Sequence, residues 1–169
     1  EELVEDKCRN YGWKKDLPDR RDYHLSLIHT VLPEKVDLRN KCPKPYNQGK
    51  LGSCTANAIA FAYQFDEMKQ HEHEIFTPSR LFIYYNERFM EGNTDKDSGA
   101  AIRDGIKSIN KIGVCSEKVW PYNIEKFTEK PKRVCYVIAK NHKSVEYHKV
   151  NQTESQIKQV LSEGFPIVF

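Results

Sequence analysis

From Ser53 to Gln70, apolar side chains fill two neighbouring helical stripes. Ala58, Phe61, Phe65 and Met68 form one, and Ile59, Ala62 and Tyr63 lie beside it. A surface helix buries one stripe, so a face this wide needs packing on most of its sides. The spacing therefore predicts a central helix with other elements assembled around it. Candidates follow in order. Thr77-Pro78 reads as an N-cap and first helical position, ahead of Leu81, Tyr84, Tyr85 and Phe89, with an end near Gly92. Ile102, Ile106 and Ile109 mark a third helix that stops at Gly113, and a fourth runs from Glu129 to about His142 with Val134 and Ile138 inward. Val145 to Val150 reads as a strand. Thr153 and Gln156 then have capping-box spacing ahead of Ile157, Val160 and Leu161, in a short helix closed by Gly164. Phe165 to Phe169 reads as the start of a buried strand without a partner, the signature of a chain completed by further sequence or by another chain.

Size and charge narrow the function. The 169 residues suit one domain or part of a larger one. The formal charge of +3, from 27 basic and 24 acidic side chains, is too small to imply nucleic acid. Basic residues cluster at 129–133 and 140–143, which reads as a solvated helix face rather than a phosphate-binding patch. The apolar runs are too short for a membrane span, and the acidic start, Glu1 to Asp6, does not read as a signal peptide. Cys8, Cys42, Cys54, Cys115 and Cys135 show no zinc spacing, and His71 and His73 read as a polar loop rather than a metal site. No metal or cofactor is expected. With an odd cysteine count, Cys54 is the one expected to remain unpaired, while the pairing of the others stays open.

Residues 1–32 read as an N-terminal extension, polar and broken by Gly12 and Pro18, with scattered aromatics. Such a segment is either a structural arm packed on the domain or a propeptide-like strap across a cleft. Val36 to Arg39 reads as a short strand or turn, and 41–50 as a loop.

The chemistry gathers at the start of the central helix, in Gln48-Gly49-Lys50-Leu51-Gly52-Ser53-Cys54-Thr55-Ala56. A thiol at a helix N-terminus feels the positive end of the macrodipole, which favours the nucleophilic thiolate. Acyl transfer also needs an oxyanion donor, a base, and a group that orients the base. Gln48 can donate from its side-chain amide and Cys54 from its backbone N–H, which has no intrahelical acceptor. Gly49 and Gly52 would let the backbone approach a substrate closely.

This segment resembles the active-site stretch of the papain-like cysteine peptidases, the clan that includes the cathepsins. Further motifs stand in family order. Val36 to Arg39 is similar to the motif near the mature N-terminus, and Thr77 to Leu81 resembles the second helix. Asp97-Ser98-Gly99-Ala100 looks like the non-primed substrate segment. Gly113-Val114 through Trp120-Pro121-Tyr122 resembles the stretch after the third helix, and Gly164 to Ile167 the segment that begins a strand of the β-rich half. The resemblance covers residues 33–169. It implies an α+β papain-like fold, with the mostly helical left subdomain and the beginning of the β-rich right subdomain. It implies Cys54 as nucleophile and Gln48 as oxyanion-hole donor. Gly52 and Ser53 would line the approach, Ser98 and Gly99 would pair with the substrate backbone, and Ala101 would stand near the pocket for the second residue before the cut. Partners would be peptide or protein substrates. The other function this resemblance allows is a catalytically inactive homologue that binds peptides.

Three departures from the family pattern carry consequences. Leu51 stands where the family has a second cysteine, so the disulfide beside the nucleophile is missing, which suits a reducing compartment or a virion. Thr55 replaces the aromatic after the nucleophile, removing the shield of the base pair. This Gly-Ser-Cys-Thr-Ala form is similar to a branch of the family seen in bacteria and large DNA viruses. Lastly, the family His and Asn follow the nucleophile by roughly 130–150 residues, which places them beyond Phe169. None of His24, His29, His71, His73, His142 or His148 stands in a Gly-His-Ala-like strand context. The expectation is half a site, with the base supplied by a C-terminal segment or a second chain.

Overall fold

The structure, a computed structural model, describes residues 11–20, 22–26, 31–70, 75–144 and 146–169. The expectations for Cys8, His29, His71, His73 and Val145 fall outside these. Among the described residues five α-helices dominate: α1 Cys54–Lys69, α2 Arg80–Met90, α3 Ile102–Lys111, α4 Arg133–Ala139 and α5 Glu154–Ser162. Two short strands, β1 Trp13–Lys14 and β2 Ala100–Ala101, pair in parallel, with Trp13 opposite Ala100 and Lys14 opposite Ala101. Among the described residues no helix is long and apolar enough to cross a membrane.

α1 is central, as its two stripes require. No residue from Leu51 to Met68 is exposed, and the deepest face is Ala56, Ile59 and Ala60. These pack against Leu81, Phe82, Ile83 and Tyr84 of α2 and Ile109 of α3, with Val114, Cys115, Trp120, Cys135 and Ala139 completing the core. Burying each large side chain contributes about 1.5–3 kcal/mol. The three helices α1, α2 and α3 thus form one packed unit whose edge carries Cys54 at the first position of α1.

Several elements depart from the sequence expectations, each for a local reason. α2 starts at Arg80 with Ser79 as N-cap, its side chain accepting from Phe82 N–H, rather than with Thr77 and Pro78. The backbone at 77–79 is instead extended. Ser79 N–H donates to Cys115 O at 2.7 Å and Glu117 N–H to Thr77 O at 2.8 Å, a pairing that competes with helix initiation. α4 is shorter than 129–142 because it begins after Pro131, with Lys132 as N-cap. Val134 is exposed, and Cys135 and Ala139 face the core in its place. Around 146–150 there is no strand but an isolated parallel bridge, His24 to Lys149. Thr153 does cap α5, accepting from Gln156 N–H. The return bond from the Gln156 side chain reaches Asn151 N–H rather than the cap's own. Residues 165–169 form no strand among the described residues; Val168 packs on the core while Phe165 and Phe169 are exposed.

Candidate active site

The loop that delivers Cys54 is fixed from three sides. Ser53 is fully buried, with its hydroxyl 2.5 Å from the Tyr122 hydroxyl, which also donates to Gln48 O at 2.8 Å. Arg80 lies between the rings of Tyr46 and Tyr122, donates to Asn47 O and Asn57 Oδ1, and pairs with Glu117 at 2.6 Å. Asn57 returns its side-chain amide to Ser53 O. A buried arginine is tolerable only when every face of the guanidinium is engaged, and here ring faces, carbonyls and a carboxylate share that task.

The third tie joins this loop to the 97–101 segment. Gly52 N–H donates to both carboxylate oxygens of Asp97, at 3.1 and 3.0 Å, and the Tyr84 hydroxyl donates to Asp97 Oδ1 at 2.5 Å. Gly99 N–H in turn donates to the Tyr84 hydroxyl at 3.1 Å. One carboxylate therefore sets the distance between the nucleophile loop and the 97–101 segment, using α2 as the fixed post. The sequence marks Tyr84 only as an apolar helix position. Its buried hydroxyl needed a partner, which was the available signal for this network.

Cys54 is half-buried and unpaired, as are Cys42, Cys115 and Cys135 to differing depths. Burial is the largest influence on the Cys54 thiol and pushes its pKa up. Backbone N–H groups of Thr55, Gly12 and Cys54 itself oppose this, while the Glu87 carboxyl adds to it. The helix start thus supplies donors, but in this state burial outweighs them and the thiol is held above its ordinary range. Gln48 Nε2 donates to Leu51 O at 2.9 Å, on the cysteine loop. Ser98 and Ala101 are half-buried and Gly99 buried, with the Ser98 hydroxyl on Gly99 O and Ala101 N–H on Glu91 Oε1.

The N-terminal segment lies over this arrangement. Gly12 contributes an N–H to the Cys54 sulfur, and its carbonyl accepts from Ala100 N–H at 2.8 Å. A Cβ on Gly12 would run into the Gly52 carbonyl, and one on Gly99 into the Gly12 carbonyl, so both backbones meet with no room for a side chain. Further along, Arg103 holds the segment by donating to both Asp22 oxygens, at 3.2 and 2.7 Å, and to Leu17 O. Lys149 joins Asp22 at 3.3 Å.

Behind the nucleophile, Glu87 is fully buried. Its Oε2 accepts from Thr55 Oγ1 at 2.9 Å, while Oε1 has no hydrogen-bond partner. Burial raises its carboxyl to about 8, with Thr55 opposing and Glu91 and Asp104 reinforcing. Thr55, in the place of the family aromatic, thus anchors the first turn of α1 to α2. Of the described histidines, His142 packs edge-on against Phe76, His148 bonds Glu146, and His24 sits in the bridge to Lys149. None of these contacts involves the thiol.

A cysteine at the head of a buried helix, tied through Asp97 to a facing backbone segment, is the left-hand architecture of a papain-like protein. The likenesses agree. No protein-family model matches the chain. It is 46% identical over 188 aligned positions to an uncharacterized peptidase C1-like protein of Acanthamoeba polyphaga mimivirus, covering 95% of this chain and 60% of that protein. The structure superposes on xylellain, a cysteine protease from Xylella fastidiosa, with a TM-score of 0.86 and 42% identity, over 92% of this chain and 64% of that one. Procathepsin L 3 of the Tenebrio molitor larval midgut, at 16% identity and a TM-score of 0.67, shares the fold. The chain therefore has the papain-like fold and is similar to proteins of the peptidase C1 type, spanning 60–64% of the length of the relatives it matches.

Proposed function

We propose that this chain carries the nucleophile side of a papain-like cysteine peptidase acting on peptide or protein substrates. The Cys54 thiolate attacks the scissile carbonyl, and the Gln48 amide with the Cys54 N–H receives the oxyanion. Gly52, Ser98, Gly99 and Ala101 form the path of the substrate backbone, and buried Ser53, expected beside them, instead braces the loop from behind. A histidine, oriented by an asparagine, protonates the leaving amine, and water then releases the acyl group. Both come from outside the described residues, in keeping with the 60–64% of its relatives that this chain spans. The observation that carries the reading is Cys54 at the first position of α1, half-buried and facing the 97–101 segment across the Asp97 tie.

Residues 1–32 we read as a propeptide-like strap rather than a structural arm. The Gly12 contact with the thiol and the β1–β2 pairing support this. β1 runs parallel to β2.

The test is hydrolysis of an unfolded protein by the full-length protein after removal of the strap, together with labelling by an epoxide-type thiol inhibitor. Hydrolysis and a Cys54 adduct, both abolished in Cys54→Ala, are expected. No adduct on Cys54 in the complete protein would support the inactive, peptide-binding homologue instead.

A further inference from the structure

Glu91 is held in an unusual way for an acidic residue at a helix C-terminus, where the dipole disfavours it. Oε1 accepts the Ala101 N–H at 2.9 Å, which fixes the carboxylate beside β2. Oε2 points to the strap and meets Lys14 Nζ at 2.5 Å. The carboxylate side chain is only 14% exposed with Lys14 in place. The charges around it are mostly of its own sign. Glu87, one turn earlier, and Asp104 of α3 both interact unfavourably with it, and Asp16 adds to the acidity at Asp104. Lys107 and Arg103 act on Asp104, and Arg88 is spent on the carbonyls of Thr94, Lys96 and Phe127. Lys14 is thus the cation that this carboxylate holds directly, and it arrives with a segment expected to leave.

When the strap leaves, Glu91 is a fixed, half-desolvated anion with one oxygen unmatched. Such a group binds a cationic side chain more strongly than a free surface carboxylate does, because its desolvation and orientation are already in place. The register locates the partner. Gly12 lies at the Cys54 sulfur and Lys14 opposite Ala101, so the cationic residue stands two positions from the one at the nucleophile.

We propose that Glu91 is a specificity-determining residue: it receives a Lys or Arg side chain of the bound peptide, two residues from the one at Cys54, at the place Lys14 holds in the strap. This rests on the peptidase reading of Cys54. Lys14 is then a resident copy of the preferred side chain, and strap and substrate compete for one carboxylate.

The test compares two affinity labels on the protein after removal of the strap, which frees Glu91 of Lys14: Lys-Ala-Gly-chloromethyl ketone and its norleucine-Ala-Gly counterpart, each acetylated. Their rates at Cys54 are read by peptide mapping and normalised to free cysteine. The lysine label is expected to react about tenfold faster at low ionic strength, with the advantage shrinking in high salt. In Glu91→Gln, which keeps the oxygen on Ala101 N–H, the ratio should fall to about one. In Glu91→Lys a glutamate label should overtake the lysine one. Equal rates in the unsubstituted chain, or a lysine preference that survives Glu91→Gln, would overturn the proposal. Absence of peptide hydrolysis by the complete protein with the labelling preference intact would count against the peptidase reading alone.

Discussion

The Cys54 loop and the strap above it touch each other, yet they are secured by different forces. The loop is built into the core: Ser53 and Thr55 are buried, Arg80 is wedged between two rings, and Gly52 hangs from Asp97. The strap contributes a two-residue ladder, a glycine contact and a few ion pairs, while Tyr11, Trp13, Leu17 and Tyr23 remain exposed. Burial of apolar area scales to many kcal/mol, whereas partly exposed ion pairs contribute about 1 kcal/mol or less each. Local stability should therefore differ sharply across a single van der Waals contact. Such a division suits a site that is preformed and then uncovered.

The contrast can be broken first on the rigid side. Asp97→Ala removes the acceptor for Gly52 N–H and the Tyr84 hydroxyl, leaving buried donors unmatched. A loss of about 2–4 kcal/mol is expected. Calorimetry should show the melting temperature falling by roughly 4–16 °C. A fall of under a degree would mean that Asp97 does not join the two walls.

On the mobile side, Gly12→Ala forces the strap away from the Gly52 carbonyl without touching the core. Iodoacetamide should then label Cys54 about tenfold faster, equivalent to about 1.4 kcal/mol of easier opening, at almost unchanged melting temperature. Arg103→Ala, which releases Asp22 and Leu17 O, should raise the labelling rate only about two- to threefold.

Glu87 sharpens the comparison through pH. Its carboxyl is raised from 4.5 to about 8 by burial, so the folded state holds a proton that the unfolded chain gives up. That contribution is complete below about 4.5 and is lost as pH rises toward about 8. The slope is at most about 1.4 kcal/mol per pH unit. Glu87→Gln should flatten the stability profile between these limits in chemical denaturation. An unchanged slope would show that Glu87 is ionised in the fold.

How much was readable beforehand depended on the range of the interactions involved. α1 and α3 follow from their stripes and from Gly113, and Cys54 at the head of α1 follows from Gly52-Ser53. These are local features, encoded within one or two turns. α2 starts two residues later than its local signals indicate because the backbone at 77–79 pairs with 115–117, a contact across almost forty positions. The expected strand near Val150 reduces to one bridge because its partner is the strap. The Asp97 tie was invisible for the same reason. Asp97, Tyr84 and Gly52 are unremarkable singly, and only the fold brings them within hydrogen-bond reach. Lys14 and Glu91, 77 positions apart, are the extreme case.

The most direct test of a preformed thiol under a removable cover is the pH dependence of Cys54 alkylation, with and without residues 1–32. Burial is the main cause of the raised thiol and outweighs the Gly12 N–H that the strap contributes. Removing the strap should speed alkylation at pH 7 by about tenfold or more and move its midpoint down toward that of an ordinary thiol. An identical rate and midpoint in the two forms would contradict the account.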